Sequence, residues 1–306
     1  MKVSTLLLLT AALASLVPSG VLAQAPASGV VPAPTRPVPV IATARELFAE
    51  NSMNVFRRYG GDGAKTLAFY GKVLGFGDIG TVGAVSRYQV GRSQLKFTPV
   101  GRNATVTRGA ITDATGMRLW TMWFPDEAAL SRRFVEAGYQ SPAFSTVAGV
   151  RSALVTDPDG EWVRLVVEPD GPTEAYGRLE IGIAAADVEK SRTFYRTFVG
   201  LEELPAATDP VLGVIKYPFR HGSTTISVWS APAGKPANPQ LAGIQYVVKN
   251  VDAVWALAQQ RAIPVEQPLG ESLPGLVTTW LSDPDQVTNY FAEIRPRVRP
   301  QTPASR

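Results

Sequence analysis

The sequence predicts an α+β fold in which βαβββ modules pair into cup-shaped mixed sheets. Two landmarks recur along the chain at a nearly constant offset: Phe69-Tyr70 returns as Phe194-Tyr195, and Asp157-Pro158-Asp159 returns as Asp283-Pro284-Asp285. The order of a strand, a helix and three short strands occurs four times, which indicates an internal duplication. One such module leaves an apolar sheet face uncovered, so pairing two modules around a shared cavity is the economical way to bury it.

The first helix of each repeat has a recognisable beginning and end. Asp62 and Asp187 can accept hydrogen bonds from the backbone N–H groups at a helix start, and Gly75 and Gly200 allow the left-handed conformation that ends a helix. Mainly apolar residues follow at helical spacing, so each stretch predicts an amphipathic helix. These residues are Leu67, Tyr70, Val73 and Leu74 in the first repeat and Val188, Ser191, Tyr195 and Phe198 in the second.

A second pair of helices is predicted, because Asp126 recurs as Asp252 after a strand-like run in each repeat. We expect helices at 126–137 and 252–261, preceded by strands at 118–124 and 244–249. Each Asp-Pro-Asp sequence then predicts a hairpin turn, since proline sets φ and the aspartates bond the local backbone. The turns join strands at 150–156 and 162–167 in the first repeat, and at 276–282 and 287–294 in the second.

The beginning of the chain predicts export. Met1-Lys2-Val3 and the apolar run 6–17 have the form of a secretory signal, and Val21-Leu22-Ala23 offers a cleavage pattern before Gln24. No later segment reaches about 18 uninterrupted apolar residues, so we expect a periplasmic or secreted protein without a membrane span. The predicted organisation is a signal peptide at 1–23, a Pro/Ala-rich linker at 24–49, domains at 50–170 and 176–296, and a disordered basic tail at 297–306. Folded structure is expected to begin near Asn51.

Charge and cysteine content exclude several classes of protein. The formal charge is +4, but Lys2 of the signal and four arginines near the end of the chain leave the folded body near about −1. A nucleic-acid-binding domain carries its basic face on the folded body, so no nucleic-acid partner is expected. Because the chain has no cysteine, it has no disulfide framework and no thiol nucleophile. The four arginines are Arg295, Arg297, Arg299 and Arg306.

The motifs resemble those of the vicinal oxygen chelate superfamily (glyoxalase/bleomycin-resistance/dioxygenase). Residues 69–76 (FYGKVLGF) are similar to the family's "FY…LGF" helix end, and 157–163 (DPDGEWV) to its "DPDG" turn and last strand. Residues 194–201 and 283–286 are looser versions, and 250–254 resembles the family's entry into its second helix. The similarity spans residues from about 50 to 296 and implies two tandem domains of paired βαβββ modules.

Family enzymes hold a divalent metal on the inner wall of the cup through His, Gln or Glu. A metal there acts as a Lewis acid on vicinal oxygens, which suits oxygen and nitrogen ligands. Aligned on the motifs, the first repeat lacks every expected ligand, and the second keeps one carboxylate, Glu180. The aligned positions are Val55 and Glu180 on the first strands, Arg164 and Tyr290 on the last strands, and Trp120 and Gly243 centrally, with Gln245 one side-chain period from Gly243 and Glu293 an alternative last-strand acid.

The second repeat is therefore the predicted functional half. Glu180 alternates onto the face opposite Leu179 and Ile181, so it is either a pocket base or weak metal ligand, or the polar face of an exposed strand. We expect Tyr290 to act across the cup as proton donor. Gln245, Trp229 and Trp280 are the predicted substrate-binding residues. Trp120, Trp123 and Trp162 are further candidates for aromatic walls.

Three other features are given no catalytic role. The run 75–80 (GFGDIG) matches a dinucleotide fingerprint by letters but follows a helix end, so no nucleotide cofactor is expected. The run 93–96 (SQLK) copies the S-x-x-K spacing, yet residues three apart on a strand point to opposite faces. His221, the only histidine, lies in a predicted turn, and a single histidine excludes a His-rich iron site of the dioxygenase type.

Two functions remain open at this point. One is an exported enzyme of the glyoxalase-like isomerase or lyase type, with a small oxygenated organic substrate, Glu180 as base and a divalent metal optional. The other is a bleomycin-resistance-like protein that sequesters a small planar compound without chemistry. A scaffold that packs against a partner or forms a homodimer is a third alternative. The missing histidines favour binding, whereas export of a pocket-forming fold favours an enzyme.

Overall fold

The computed structural model describes residues 38–100, 109–237 and 242–295, and in these ranges four modules follow one another. Modules A and B form the first repeat, and modules C and D form the second. Module A contains β1 (Asn54–Tyr59), α1 (Gly63–Ala68) with a π-helical turn (Phe69–Val73), β2 (Gly77–Val82), β3 (Val85–Val90) and β4 (Ser93–Pro99). Module B contains β5 (Gly116–Phe124), α2 (Glu127–Glu136), β6 (Ser145–Val147), β7 (Val150–Thr156) and β8 (Trp162–Val167).

The second repeat has the same order of elements. Module C contains β9 (Leu179–Ala185), α3 (Val188–Thr193) with a π-helical turn (Phe194–Val199), β10 (Glu202–Glu203), β11 (Ala207–Asp209), β12 (Val214–His221) and β13 (Thr224–Ser230). Module D contains β14 (Ala242–Val247), α4 (Val251–Gln260), β15 (Val265–Leu273), β16 (Leu276–Ser282) and β17 (Thr288–Ile294). Two short 3-10 helices, Ala44–Leu47 and Thr173–Gly177, precede the repeats. The predicted α+β fold is confirmed.

The helix starts follow the predicted capping chemistry. Asp62 accepts hydrogen bonds from Ala64 N and Lys65 N, and Asp187 accepts one from Lys190 N. The start of α4 differs from the prediction: its cap is Asn250, whose side chain accepts from Ala253 N. Asn250, and not Asp252, is therefore the equivalent of Asp126, which caps α2. Both residue types make good N-caps, and the recurring aspartate letter concealed the shift.

Each sheet combines one module from each repeat. The eight-stranded A/D sheet has the order β15-β16-β17-β14-β1-β4-β3-β2. The nine-stranded B/C sheet has the order β10-β12-β13-β9-β5-β8-β7-β6, and its ninth strand, β11, also pairs with β12. The modules join through antiparallel pairs, β1 with β14 and β5 with β9, whereas parallel pairs such as β1 with β4 lie inside a module. The two sheets therefore cross the boundary between the repeats.

Within a repeat, the two modules are held together by helices and turns. Arg133 of α2 donates from Nε to Val73 O, and the Phe69 and Phe134 rings meet edge-on at 5.7 Å. The Asp-Pro-Asp turns also reach across: Asp159 accepts from Gly61 N at 2.8 Å, and Asp285 accepts from Ala186 N at 2.7 Å. One apolar core, made of helix side chains and one face of each sheet, connects all four modules.

Folded structure begins earlier than predicted. The segment 38–49, assigned to the linker, contains a 3-10 helix whose Ala44 is fully buried, and Ile41 is buried as well. Ala49 N donates to Val247 O, and Lys249 N donates to Leu47 O, so the segment packs on module D. The proline-rich composition of the preceding stretch concealed these apolar residues. Residues 1–37 and 296–306, which include the predicted signal peptide and tail, lie outside the described residues.

The described helices contain no candidate for a transmembrane segment, since none combines the length and hydropathy that a bilayer crossing requires.

Candidate functional site

Strand alternation gives each sheet one face in the core and an opposite face, called here the cup face. On the A/D sheet, Val55 and Leu95 are buried in the core, so their neighbours Asn54, Phe56 and Lys96 lie on the cup face. On the B/C sheet, the alternation of buried Leu179, Ile181 and Ile183 places Glu180 on the cup face. The cup faces are where the functional side chains are expected.

Strand pairing aligns the predicted ligand positions in one row on each sheet. Gln245 pairs with Asn54 on one side and with Tyr290 on the other. Thr121 pairs in the same way with Glu180 and Arg164. The equivalent of Glu180 is therefore Asn54 rather than Val55, and the central position of the first repeat is Thr121 rather than Trp120.

The register differs because the connection after β1 holds one more residue than the connection after β9. Gly61 N and Ala186 N make the same bond to an aspartate of the following turn. Three residues after the equivalent positions Asn54 and Glu180, Arg57 and Ile183 occupy the same core position. Gly61 then follows Arg57 by four residues, whereas Ala186 follows Ile183 by three. A single extra residue moves every preceding side chain to the other face of a strand, which is the error in the sequence alignment.

The predicted catalytic pair does not form. Glu180 lies on β9 of the B/C sheet, and Tyr290 lies on β17 of the A/D sheet. Gln245 and Trp280 lie beside Tyr290, whereas Trp229 lies in β13, next to β9. The prediction assumed that a cup is built from the two modules of one repeat, but each cup combines one module from each repeat. The five residues therefore divide between two separate sites.

The cup face of the B/C sheet carries a closed network of charges. Lys216 Nζ lies 2.7 Å from Glu180 Oε1 and 2.6 Å from Asp209 Oδ2. Arg164 makes two bonds to Asp209, at 2.5 and 3.0 Å. Burial opposes ionisation of Asp209, but Arg164 and Lys216 outweigh that effect and hold its pKa below the usual range. The two carboxylates and the two cations of this network therefore balance one another in charge.

Apolar side chains fill the rest of the B/C cup face. Trp229, 2% exposed, packs with Leu119 and Ala184, and Gly182 leaves room for its ring, because a Cβ there would lie 2.6 Å from the indole. Trp162 packs against the same cluster and donates from Nε1 to Gly109 O at 2.8 Å. This face therefore combines paired charges with an apolar cluster.

Polar groups on the A/D cup face converge on one amide. Gln245 Oε1 accepts from Asn54 Nδ2 at 3.3 Å and also from Lys96 Nζ. Burial is the largest effect on Lys96 and lowers its pKa to about 8. Two smaller effects act as well: Glu50 raises this pKa and Arg87 lowers it. Burial raises the pKa of Tyr290, against the hydrogen bonds with Ser272 and Gln245. Tyr290 is therefore a neutral hydrogen-bond donor at physiological pH.

Three aromatic rings adjoin these polar groups. The Trp280 ring centroid lies 5.2 Å from that of Tyr290 and 5.8 Å from that of Phe56. All three residues, and Lys96, are only partly buried. Trp280 Nε1 is buried yet has no hydrogen-bond partner in the structure. An unpaired buried donor costs free energy, so its presence in a polar cluster suggests that a ligand supplies the acceptor.

Neither cup face suits a divalent metal. The B/C row has a single carboxylate, already bonded by Lys216, and Arg164 occupies its last position. The A/D row offers two amides and a phenol beside the Lys96 ammonium. Within the described residues, no group of three or more His, Cys, Asp or Glu side chains is placed to hold a metal ion. Cations at these positions disfavour a second cation.

The remaining predicted residues have structural roles. Trp120 is a core residue whose ring centroid lies 5.8 Å from that of Tyr70. The Arg178 guanidinium lies over the ring of Trp123. His221 ends β12, where its Nε2 lies 2.7 Å from Glu50 O. Glu293 accepts from Val251 N at the start of α4. None of them lies in either row.

Lys96, Asn54 and Phe56 were missed by the sequence analysis. Lys96 lay in the S-x-x-K run, and the structure confirms that the serine and lysine of this run point to opposite faces: Ser93 is buried against Thr224 Oγ1 at 2.7 Å. The same alternation could have identified Lys96 as a lone lysine on a strand face. Its pairing with Gln245 could not be predicted, because these residues belong to different repeats.

Gly243 provides a test of the A/D geometry. A Cβ at Gly243 would lie 2.3 Å from the Phe56 ring and 2.6 Å from Thr288 O. We expect Gly243→Ala to lower the free energy of unfolding by about 1–3 kcal/mol, measured by urea unfolding, since the backbone oxygen cannot move easily. Gly270→Ala is the matched control, because its nearest heavy atom lies at 3.9 Å. Equal effects of the two substitutions would contradict the close packing of Phe56 on β14.

Comparisons with known proteins agree with this architecture. Residues 178–291 match the family model of the Glyoxalase/Bleomycin resistance protein/Dioxygenase superfamily. Glyoxalase I from Zea mays has a similar structure, with a TM-score of 0.58 and 16% identity over 79% of this chain and 92% of that chain. A mutant of the same enzyme has a TM-score of 0.60 and 17% identity, and the match covers 79% of this chain and 94% of that chain. No curated protein sequence matches the chain.

A structure from Bacillus subtilis, with a TM-score of 0.56 and 14% identity, covers 79% of this chain and 84% of its own. At these identities the likeness concerns the fold. The resemblance inferred from the motifs is nevertheless confirmed: residues 178–291 match the model of the glyoxalase/bleomycin resistance protein/dioxygenase superfamily, and the described chain shares its fold with glyoxalase I from Zea mays.

Proposed function

We propose that the protein binds a small oxygenated organic molecule on the cup face of the A/D sheet, through side-chain donors instead of a metal. The observation that carries this proposal is the unpartnered Trp280 Nε1 beside Tyr290, Gln245 and Lys96. Ligand sites typically combine aromatic walls with a few convergent polar groups, and this face has both. On the B/C face the lysine and the arginine are already paired with carboxylates, so it offers no comparable set of charged donors.

The donors determine what the ligand must offer. Lys96 and Trp280 carry N–H groups and Tyr290 an O–H group, so the complementary ligand presents acceptor oxygens such as those of a carbonyl or carboxylate. The Phe56, Trp280 and Tyr290 rings, with centroids 5.2–5.8 Å apart for the two pairs that include Trp280, provide apolar faces beside these donors. A conjugated molecule with oxygen substituents meets both requirements.

Proton transfer is the second candidate function, and Lys96 favours it. Burial lowers its pKa to about 8, close enough to neutrality for the amine to exchange a proton at a useful rate. Tyr290, which belongs to the same row through Gln245, would supply or receive a hydrogen bond at the second oxygen. Isomerisation or lyase chemistry next to a carbonyl would use these groups. Lys96 thereby takes the role that the sequence analysis gave to Glu180.

Binding can be tested with one matched pair of variants. We expect oxygenated aromatic compounds in a thermal-shift panel to stabilise the protein, and Trp280→Phe to weaken the best compound roughly 2- to 10-fold in titration calorimetry, the worth of one hydrogen bond. Glu180→Gln, in the other cup, should leave that affinity unchanged. If Glu180→Gln weakens binding and Trp280→Phe does not, the site is wrongly placed.

Export remains a further proposal, supported by residues 1–23. We expect full-length protein produced in a Gram-negative host to appear in the osmotic-shock fraction with Gln24 as its first residue. An intact Met1 in the cytoplasmic fraction would contradict it.

A further inference from the structure

Each cup face carries a lysine, and the two lysines have different bonding partners. In the B/C cup, Lys216 lies within 2.7 Å of both Glu180 and Asp209, so its charge is compensated by carboxylates. In the A/D cup, Lys96 bonds the neutral amide oxygen of Gln245. Among the described residues, no carboxylate forms a salt bridge with Lys96. A partly buried ammonium without a carboxylate partner is costly unless something else supplies negative charge.

The other charged residues around Lys96 do not supply the missing counter-ion. Arg87 pairs with Lys96 across β3 and β4, and its guanidinium donates to the neutral carbonyls of Ile79 and Gly80. Arg58 shares the cup face of β1 by alternation with Phe56. On the acidic side, Glu50 is close enough to raise the pKa of Lys96. The charge on β3 and β4 is therefore predominantly positive.

The second acid near this face is engaged elsewhere. Glu266 of β15 accepts hydrogen bonds from the Ser282 hydroxyl at 2.5 Å and from the Thr288 hydroxyl at 2.7 Å. Its strand forms the opposite edge of the A/D sheet from β2. The charge thus differs across the sheet, positive on β3 and β4 and negative on β15, with the aromatic residues between them.

We propose that the A/D cup selects a planar anion, whose carboxylate or enolate oxygen pairs with Lys96 while its conjugated body lies against Phe56 and Trp280. This inference rests on the proposed function and adds the charge of the ligand to it. The anion supplies Lys96 with a counter-ion, as Glu180 and Asp209 do for Lys216 in the other cup. Trp280 Nε1 donates to the same ligand, which gives this buried N–H an acceptor.

Benzoate and benzamide test the charge, because they have nearly the same shape. We expect saturation-transfer NMR and titration with the mature protein to show benzoate binding roughly tenfold or more tightly than benzamide, the range of a charge-assisted hydrogen bond. Lys96→Met should remove this preference by weakening benzoate alone. Lys96→Arg keeps a cation on the strand and should restore part of it. Lys216→Met would break the closed network, so Glu180→Gln serves as the control in the other cup and should preserve the preference.

The outcomes separate the inference from the proposed function. Equal affinities of the two compounds for the wild type, or a preference that survives Lys96→Met in a folded variant, would overturn the anion assignment and leave small-molecule binding in place. Binding of neither compound up to its solubility limit would overturn both. Circular dichroism and the unfolding midpoint establish that each variant is folded.

Discussion

Replacing Arg57 by methionine is expected to lower the free energy of unfolding by about 3–5 kcal/mol, the cost of breaking a buried ion pair from one side. Arg57 lies in the core, where its guanidinium bonds Asp157, reaches Asp159 at 2.9 Å and donates to the Tyr70 hydroxyl at 3.2 Å. All three charged side chains are almost completely buried. The methionine side chain fills similar space but removes the guanidinium that bonds both carboxylates.

Urea unfolding at neutral pH measures this loss. Arg58→Met is the matched control, because Arg58 adjoins Arg57 in β1 yet is only partly buried on the opposite face. We expect it to cost less than about 1 kcal/mol, as is usual for a residue outside a buried network. An Arg57 variant as stable as the Arg58 variant would show that the Asp-Pro-Asp turn does not depend on this cation.

Asp283→Asn is expected to stabilise the protein above pH 7, because the second repeat lacks the cation of the first. Ile183 occupies the core position of Arg57, and Asp283 is buried with Tyr195, whose hydroxyl donates to it at 2.7 Å. Burial raises the pKa of Asp283 to about 7, an effect that the Tyr195 bond partly opposes and Asp285 reinforces. A group with a raised pKa binds its proton more tightly in the folded protein, so stability is lost as the pH rises from about 4 to about 7.

The size of this effect follows from the shift. A change from 3.8 to about 7 corresponds to about 4 kcal/mol, at 1.36 kcal/mol per pKa unit. Asparagine imitates the protonated acid and keeps an oxygen for the N–H groups of Asp285 and Val287. The difference in unfolding free energy between Asp283→Asn and wild type should therefore grow between pH 4 and 7 and then stay constant. A difference for Asp283→Asn that stays flat between pH 4 and 7 would contradict the account.

Much of the fold could be predicted because its signals are local. The caps Asp62 and Asp187 bond the helix starts as expected, and strands β7, β8 and β16 occupy the predicted residues. The Asp-Pro-Asp turns were recognised from proline geometry and local backbone bonds. Their longer contacts, such as that of Asp159 with Arg57, could not be predicted, since these join residues about a hundred positions apart.

The candidate site could be predicted only in part, because strand pairing between repeats is a long-range property. Gln245, Trp280 and Tyr290 were identified correctly as neighbours, since all three belong to module D. Glu180 and Trp229 were grouped with them because they belong to the same repeat. The structure places these two against Lys216 and Leu119 in the other cup. Each cup takes a module from both repeats, so neither repeat forms a cup by itself.

The asymmetry between the cups replaces the predicted asymmetry between the repeats. In the B/C cup, Lys216 and Arg164 balance the charges of Glu180 and Asp209, and Trp229 packs with Leu119 and Ala184. In the A/D cup, Lys96 and Trp280 retain unmet bonding capacity. One cup thus contributes to the core of the protein, and the other is the candidate site.

Indole N–H resonances report directly on which cup holds the ligand. The chain has six tryptophans, and 15N labelling gives one side-chain signal for each, assignable by Trp→Phe variants. On titration with the best-binding compound, we predict that the Trp280 signal shifts strongly, since its Nε1 gains an acceptor, while those of Trp162 and Trp229 stay in place. Shifts of Trp162 and Trp229 with an unmoved Trp280 would contradict the assignment of function to the A/D cup.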